Sequence, residues 1–270
     1  PPPSPSPSAS PSPTPPPSGA TAQGYETEPN DTTAGADALV GPGGRIRGSV
    51  FTGVTGSVGT DTDFYSITTT VANAKIYAAT INSSAANTDT ILAVIASDGT
   101  TVLESDNNDG SFGASSSTVS GTVLATPGTY YLRVTGVSAT SPVAVYDLYF
   151  AVRDPAGLTA ETEPNDNGTP QVIPASEFVS GEINPSTDTD TFTFTANAGD
   201  TVFLSLDLDP ERDVTTFNGR IGIGLFGTPA NFLVTSDSGA GDTIDSEAMV
   251  MTVATTGSYV VYVDAQVAGT

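Results

Sequence analysis

Six residues of this chain are spelled out twice. Glu26-Thr27-Glu28-Pro29-Asn30-Asp31 returns letter for letter at Glu161-Thr162-Glu163-Pro164-Asn165-Asp166. Each copy is followed by Thr-Asp-Thr-Asp, at Thr60–Asp63 and again at Thr187–Asp190. A repeat at this spacing marks two copies of one folding unit rather than one large domain. The expected organisation is a head at 1–23, a first unit at 24–154 and a second at 155–270.

Residues 1–17 contain only Pro, Ser, Thr and one Ala, with ten prolines. Such a segment cannot bury apolar surface and is expected to be extended polyproline II. Ser4, Ser6, Ser8, Ser10, Ser12 and Thr14 alternate with prolines as in O-glycosylated stalks; a plain flexible linker fits the same composition.

After Tyr25 the signal is all-β. Short β-branched runs recur between Gly, Asn, Asp and Pro. In the first unit strands are expected near Ile46–Phe51, Phe64–Thr69, Ile76–Ile81, Ile91–Ser97, Thr101–Glu104, Thr118–Leu124, Tyr130–Thr135 and Tyr146–Val152. In the second they are expected near Phe178–Ile183, Thr191–Thr195, Val202–Leu208, Ile221–Phe226, Phe232–Thr235, Ala248–Val253 and Tyr259–Val263. Val202, Leu204, Leu206 and Leu208 alternate with other residues, the pattern of a strand with one wet face. Two tandem antiparallel β-sandwiches, jelly-roll-like, follow.

The two strand sets are unequal. Gly128-Thr129-Tyr130 aligns with Gly257-Ser258-Tyr259, so Tyr146–Val152 would map to about 275–281, past Thr270. The second unit is expected to lack its final strand, which leaves unpaired backbone and an apolar groove. Three arrangements fit: the sequence stops short of the natural end, a neighbouring chain supplies the strand by β-augmentation, or seven strands close unaided.

Composition removes whole function classes. With 7 Lys plus Arg against 30 Asp plus Glu, the chain repels a phosphate backbone, so nucleic acid is not an expected partner. Neither Cys nor His occurs, which excludes a disulfide framework, a thiolate nucleophile, a Ser-His-Asp triad and an ordinary zinc site. Carboxylate-pair chemistry survives in principle, but there is no Trp to form a sugar platform. No apolar run reaches membrane-spanning length, and no signal peptide is present; the start at Pro1 suits a mature or trimmed product.

The acidic motif suits a hard cation. Glu-x-Glu-x-Asn-Asp offers four oxygen ligands and Asp-x-Asp two more, against the roughly six to eight that calcium takes. A solvated acidic turn, capped by Asn30 or Asp31, uses the same residues without an ion. Ser105–Gly110 reads as a polar hairpin, and Asn30, Asn82 and Asn167 open sequons that arise often by chance. Tyr130, Tyr131, Tyr146 and Tyr149 could line a binding stripe or pack across strands.

Glu-x-Glu-Pro-Asn-Asp, then Asp-x-Asp-Phe-Tyr, then Gly-Thr-Tyr-Tyr-Leu-Arg-Val together resemble the bacterial pre-peptidase C-terminal domain and the similar collagen-binding modules of clostridial collagenases. The resemblance implies a compact β-sandwich on a secreted protein, non-catalytic, with calcium at the acidic entrance. It implies as ligands Glu26, Glu28, Asn30, Asp31, Asp61 and Asp63, and in the second copy Glu161, Glu163, Asn165, Asp166, Asp188 and Asp190. The second copy departs at Thr191-Phe192, where the first has Phe64-Tyr65. Two functions follow as expectations. One is an extracellular or cell-surface structural subunit that self-associates into a filament or matrix, its head glycosylated. The other is a calcium-supported targeting module of a secreted hydrolase, binding protein or polysaccharide.

Overall fold

The computed structural model describes residues 21–50, 61–82, 89–108, 115–137, 143–166, 168–210, 212, 218–227, 232–236 and 246–265. Ser4, Ser6, Ser8, Ser10, Ser12, Thr14 and the tripeptides opening at Asn82 and Asn167 lie wholly or partly outside them. Among the described residues there is no α-helix.

Residues up to Arg153 supply ten strands: β1 (Thr21–Tyr25), β2 (Asp37–Leu39), β3 (Gly43–Val50), β4 (Asp63–Thr69), β5 (Ala74–Asn82), β6 (Thr90–Ile95), β7 (Val102–Asp106), β8 (Thr118–Leu124), β9 (Gly128–Gly136) and β10 (Val143–Arg153). Two five-stranded sheets result, ordered β1-β3-β10-β5-β8 and β2-β4-β9-β6-β7. The alternation in β4 explains the layering: Asp63, Tyr65, Ile67 and Thr69 are buried while Phe64, Ser66 and Thr68 are not. One apolar cluster fills the space between the sheets, with Ile76, Leu148 and Phe150 on one side and Tyr65, Leu92 and Leu132 on the other.

The rest of the chain supplies β11 (Thr159–Ala160), β12 (Gln171–Val172), β13 (Val179–Ser180), β14 (Thr189–Ala196), β15 (Thr201–Leu206), β16 (Gly219–Leu225), β17 (Phe232–Ser236), β18 (Glu247–Thr252) and β19 (Gly257–Ala265). One sheet, β12-β14-β19-β16-β17, repeats the order β2-β4-β9-β6-β7 strand for strand. The other sheet does not repeat. In place of β1-β3-β10-β5-β8 stand two separate pairs, β11-β13 and β15-β18, and among the described residues no strand joins them.

Burial follows from that break. Ile76, Ala78 and Ala79 of β5 are fully buried, whereas Val202 to Leu206 of β15 are all partly exposed. Val202, Leu204 and Leu206 still touch the core of Phe192, Ile223, Met249 and Val261. Covering a Val or Leu completely is worth about 1.5–3 kcal/mol, so each of these partly covered side chains contributes less than its full share.

Two differences from the sequence reading have a local cause. The strand expected at Phe178–Ile183 is only Val179–Ser180, because it pairs on one side alone, with β11. The parallel pairs β1–β3 and β2–β4, with their counterparts β11–β13 and β12–β14, carry too few residues to show a period in sequence.

The halves meet across the β5–β10 face. Tyr77 packs edge-on against Phe178 at 6.0 Å, and Tyr149 lies 5.9 Å from Phe203. Asp207 accepts from Arg212 at 2.8 Å and lies 3.5 Å from Lys75. Arg212 also donates to the Ser120 carbonyl at 2.6 Å.

Candidate metal centres

Each acidic hexapeptide begins where a short strand ends, and the parallel pairing aims its first glutamate. The Glu26 N–H donates to the Arg47 carbonyl at 2.9 Å, extending the β1–β3 pair by one residue. Its carboxylate then accepts from the Ser49 N–H at 2.6 Å and from the Tyr65 hydroxyl at 2.7 Å. Gly48 lies between: a Cβ there would strike both the Glu26 carboxylate and the Tyr146 hydroxyl. The opposite wall is Asp63, fully buried at the start of β4, which accepts from the Tyr146 hydroxyl at 2.5 Å. The two tyrosine hydroxyls are 2.6 Å apart.

The remaining ligands hang on the hexapeptide itself. Glu28 accepts from the Asn30 N–H at 3.0 Å, and Asp31 from the Thr62 N–H at 3.2 Å. Asn30 is fully buried, its carbonyl accepting from Phe64 N–H at 3.1 Å. Oxygens of Glu26, Glu28 and Asp63 lie within 4.8 Å of one another, and so do those of Glu28, Asp31 and Asp61. Glu28 is common to both groups.

The second hexapeptide repeats the scaffold. The Glu161 N–H donates to Ser180 O at 2.8 Å, and Glu161 accepts from the Glu182 N–H at 2.5 Å, as Glu26 does from Ser49. Gly181 stands where Gly48 does: a Cβ there would strike Glu161. Glu163 accepts from the Asn165 N–H at 2.9 Å, and the Asn165 carbonyl accepts from the Thr191 N–H at 3.0 Å. Glu28–Pro29 and Glu163–Pro164 are both cis. Here one group converges within 4.8 Å: Glu161, Glu163 and Asp190.

Asp166 and Asp188 stand apart from that group. Asp166 is exposed, its carbonyl closing a turn with Thr169 N–H at 2.9 Å. The Asp188 carboxylate accepts from the next backbone N–H, Thr189, at 2.9 Å, and lines a shallow pocket with Arg220 and Asp264.

Electrostatics mark both centres as short of positive charge. Burial pushes Asp63 up to about 10, with Glu26, Asp61 and Glu28 adding repulsion, and it also raises Glu26 and Glu28. Burial, reinforced by Glu161, pushes Asp190 up to about 8. Within the two centres four buried oxygens have no hydrogen-bond partner: Asn30 Oδ1, Asp63 Oδ1, Asn165 Oδ1 and Asp190 Oδ1. The same two residue pairs recur, one pair in each copy. Buried acceptors are paired as a rule, and these oxygens have the chemistry of hard-cation ligands.

Sequence reasoning passed over several members. Tyr65 was visible in the Asp-Phe-Tyr motif, but its role as a donor to Glu26 was not. The four tyrosines considered for a stripe divide. Tyr146 points into the core, Tyr130 is buried with its hydroxyl on the Thr126 carbonyl at 3.0 Å, Tyr131 pairs with Phe64, and Tyr149 meets Phe203.

Residues 61–136 match the family described as bacterial pre-peptidase C-terminal domain. No curated protein matches the chain in sequence. Among solved structures, a protein described as secreted, from Eubacterium rectale, is 11% identical over 78% of this chain and 64% of its own, with a TM-score of 0.26. A protein described as an α-L-fucosidase, from Bacteroides ovatus, is 10% identical over 82% of this chain and 38% of its own, TM-score 0.25. The N-terminal tandem CBM22 domain of Paenibacillus barcinonensis Xyn10C is 11% identical over 76% of each chain, TM-score 0.23. The chain thus spans less than two thirds of the first two, and at these scores the likenesses carry no functional argument. Among the described residues no helix is long and apolar enough to cross a membrane.

Proposed function

We propose that this is a non-catalytic extracellular or cell-surface structural protein, a subunit of a filament or matrix whose copies join through β-strand contacts. The observation that supports the reading is the divided sheet of the second half, where β11-β13 and β15-β18 are separate pairs and, among the described residues, no strand joins them. Strand edges beside the partly covered Val202, Leu204 and Leu206 suit pairing with another strand. Calcium at the acidic entrances supports the same role by pinning the start of each sandwich to its neighbouring strands. Its supporting observation is the four buried, unpartnered oxygens. Glycans on Ser4, Ser6, Ser8, Ser10, Ser12 and Thr14 would keep the head extended and hydrated.

A second reading is favoured by the family match itself, since a domain described as pre-peptidase C-terminal suits a targeting module of a secreted hydrolase. Sedimentation velocity over a concentration series, in calcium and in chelator, separates the two. Concentration-dependent growth of large species supports assembly. A single monomer boundary throughout contradicts it and leaves the targeting reading.

A further inference from the structure

The outer face of the repeated sheet differs between the two halves. In the second half Thr189, Asp264 and Arg220 stand side by side across β14, β19 and β16. Two residues along, on the same face, stand Thr191, Tyr262 and Gly222. Gly222 makes room for the tyrosine: a Cβ there would strike the Tyr262 ring, which is only 2% exposed. The Arg220 guanidinium lies 5.7 Å from the centre of that ring. It forks onto Asp264, Nε to Oδ1 at 2.8 Å and Nη2 to Oδ2 at 2.6 Å. A bidentate pair packed on a buried ring is held in place before any ligand arrives. The matching pair in the first half is Ile91 opposite Thr135, which carries no charge.

The turn before β14 supplies the facing wall. The Asp188 N–H donates to the Pro185 carbonyl at 2.8 Å, which sets the exposed Ser186 and Thr187 at the rim. These two, with Asp188, Arg220 and Asp264, line the shallow pocket, whose volume is about 420 Å³. Small-molecule sites usually measure about 300–1,000 Å³, so there is room for one sugar-sized group.

The chemistry of the walls selects the ligand. Two carboxylates face one guanidinium, so the pocket is net negative and disfavours an anion. Neither Asp188 nor Asp264 belongs to a converging acidic group among the described residues, so the pocket is distinct from the cation centres. A carboxylate accepts about four hydrogen bonds. The Asp188 carboxylate accepts one, from the Thr189 N–H, and that of Asp264 accepts the two from Arg220. The remaining acceptor positions call for donors, while the Ser186 and Thr187 hydroxyls both donate and accept. An uncharged molecule with several adjacent hydroxyls meets all of these groups at once.

We propose that this pocket holds one unit of a neutral saccharide, whose hydroxyls donate to Asp188 and Asp264 and exchange hydrogen bonds with Ser186 and Thr187. Arg220 is the positioning residue, since its fork holds Asp264 toward the ligand. Tyr262 is buried, so the sugar is recognised through its hydroxyl edge rather than by stacking. The site depends on neither the calcium nor the assembly reading, and it gives the second half a task that the first does not share.

The test is nuclear magnetic resonance on the whole chain with the methyl glycosides of glucose, galactose, mannose and N-acetylglucosamine. At least one should show saturation transfer with a dissociation constant of about 1 mM, the strength a ligand of this size reaches through hydrogen bonds. Its titration should shift the amide signals of Thr187–Thr189 and Asp264 and the Arg220 Nε–H signal. Thr187→Val, at an exposed rim position, should weaken binding about threefold to tenfold with unchanged thermal unfolding. Arg220→Gln should weaken it by at least about tenfold. No transfer from any of the four glycosides at about 20 mM would overturn the proposal. So would shifts confined to other residues, or tighter binding of methyl glucuronide than of every neutral glycoside. Undiminished binding by both variants would overturn the roles given to these residues.

Discussion

The Tyr146 hydroxyl donates to the Asp63 carboxylate at 2.5 Å, tying the last strand of the first half to its acidic entrance. The two residues are 83 positions apart and lie in opposite sheets. Closure of the sandwich and construction of the acidic centre are thus one event in this half.

Removing that donor should be costly. Tyr146→Phe keeps the packing but removes the hydroxyl bonded to the buried Asp63 carboxyl group, with an expected loss of about 1–3 kcal/mol in the cation-free protein. Urea unfolding of the two proteins in chelator measures it. A loss below a few tenths of a kcal/mol would contradict the role given to this bond.

The glycines beside the glutamates should act locally. In Gly48→Ala the new methyl strikes the Glu26 carboxylate and the Tyr146 hydroxyl; in Gly181→Ala it strikes Glu161. Each substitution should abolish cation binding at its own centre and spare the other. Calorimetric titration with calcium reads this as a partial loss of bound ions for either variant and a complete loss for the double variant.

The pH dependence without cation has a definite sign. Asp63 is pushed up to about 10 and Asp190 up to about 8, so between an unfolded value of 3.8 and those values the folded chain holds more protons than the unfolded one. Stability in chelator should therefore be greatest near pH 4 as far as these groups contribute, and fall as pH rises toward 8 and 10. Each group contributes a slope of at most about 1.4 kcal/mol per pH unit. Calcium requires the ionised carboxylates, so its stabilising effect should grow over the same range. Thermal unfolding across pH 5–9, with and without calcium, checks both slopes.

The junction between the halves should depend on Asp207, which serves Lys75 and Arg212 together. Asp207→Ala removes the carboxylate that Lys75 and Arg212 share, while Arg212 keeps Glu104 and the Ser120 carbonyl, and the expected cost is about 0.5–1.5 kcal/mol. Calorimetry should then show the halves melting in separate transitions, and small-angle scattering a larger radius of gyration. A single unchanged transition would contradict this account of the junction.

Much of this architecture could be read from sequence, and the exceptions share a cause. Alternation at Val202, Leu204 and Leu206 located β15 because that strand is long enough to show a period. Strands of two or three residues, such as Asp37–Leu39, show none, yet they place the acidic segments. The spacing of Glu26, Glu28, Asp31, Asp61 and Asp63 announced a cluster. That they form two groups sharing Glu28 depends on the parallel β1–β3 pairing, a long-range fact. Asp188 lies outside the converging second group and its carboxylate accepts from the Thr189 N–H, a local bond that spacing cannot reveal. Tyr146 was legible as an apolar strand residue, but its hydroxyl's destination lies across the sandwich.

The most direct test of the central claim is electron microscopy of the purified whole chain in calcium, at concentrations where sedimentation shows growth. The account predicts fibres or sheets with a regular axial repeat set by the sandwiches. Dispersed particles of single-chain size at every concentration would contradict it.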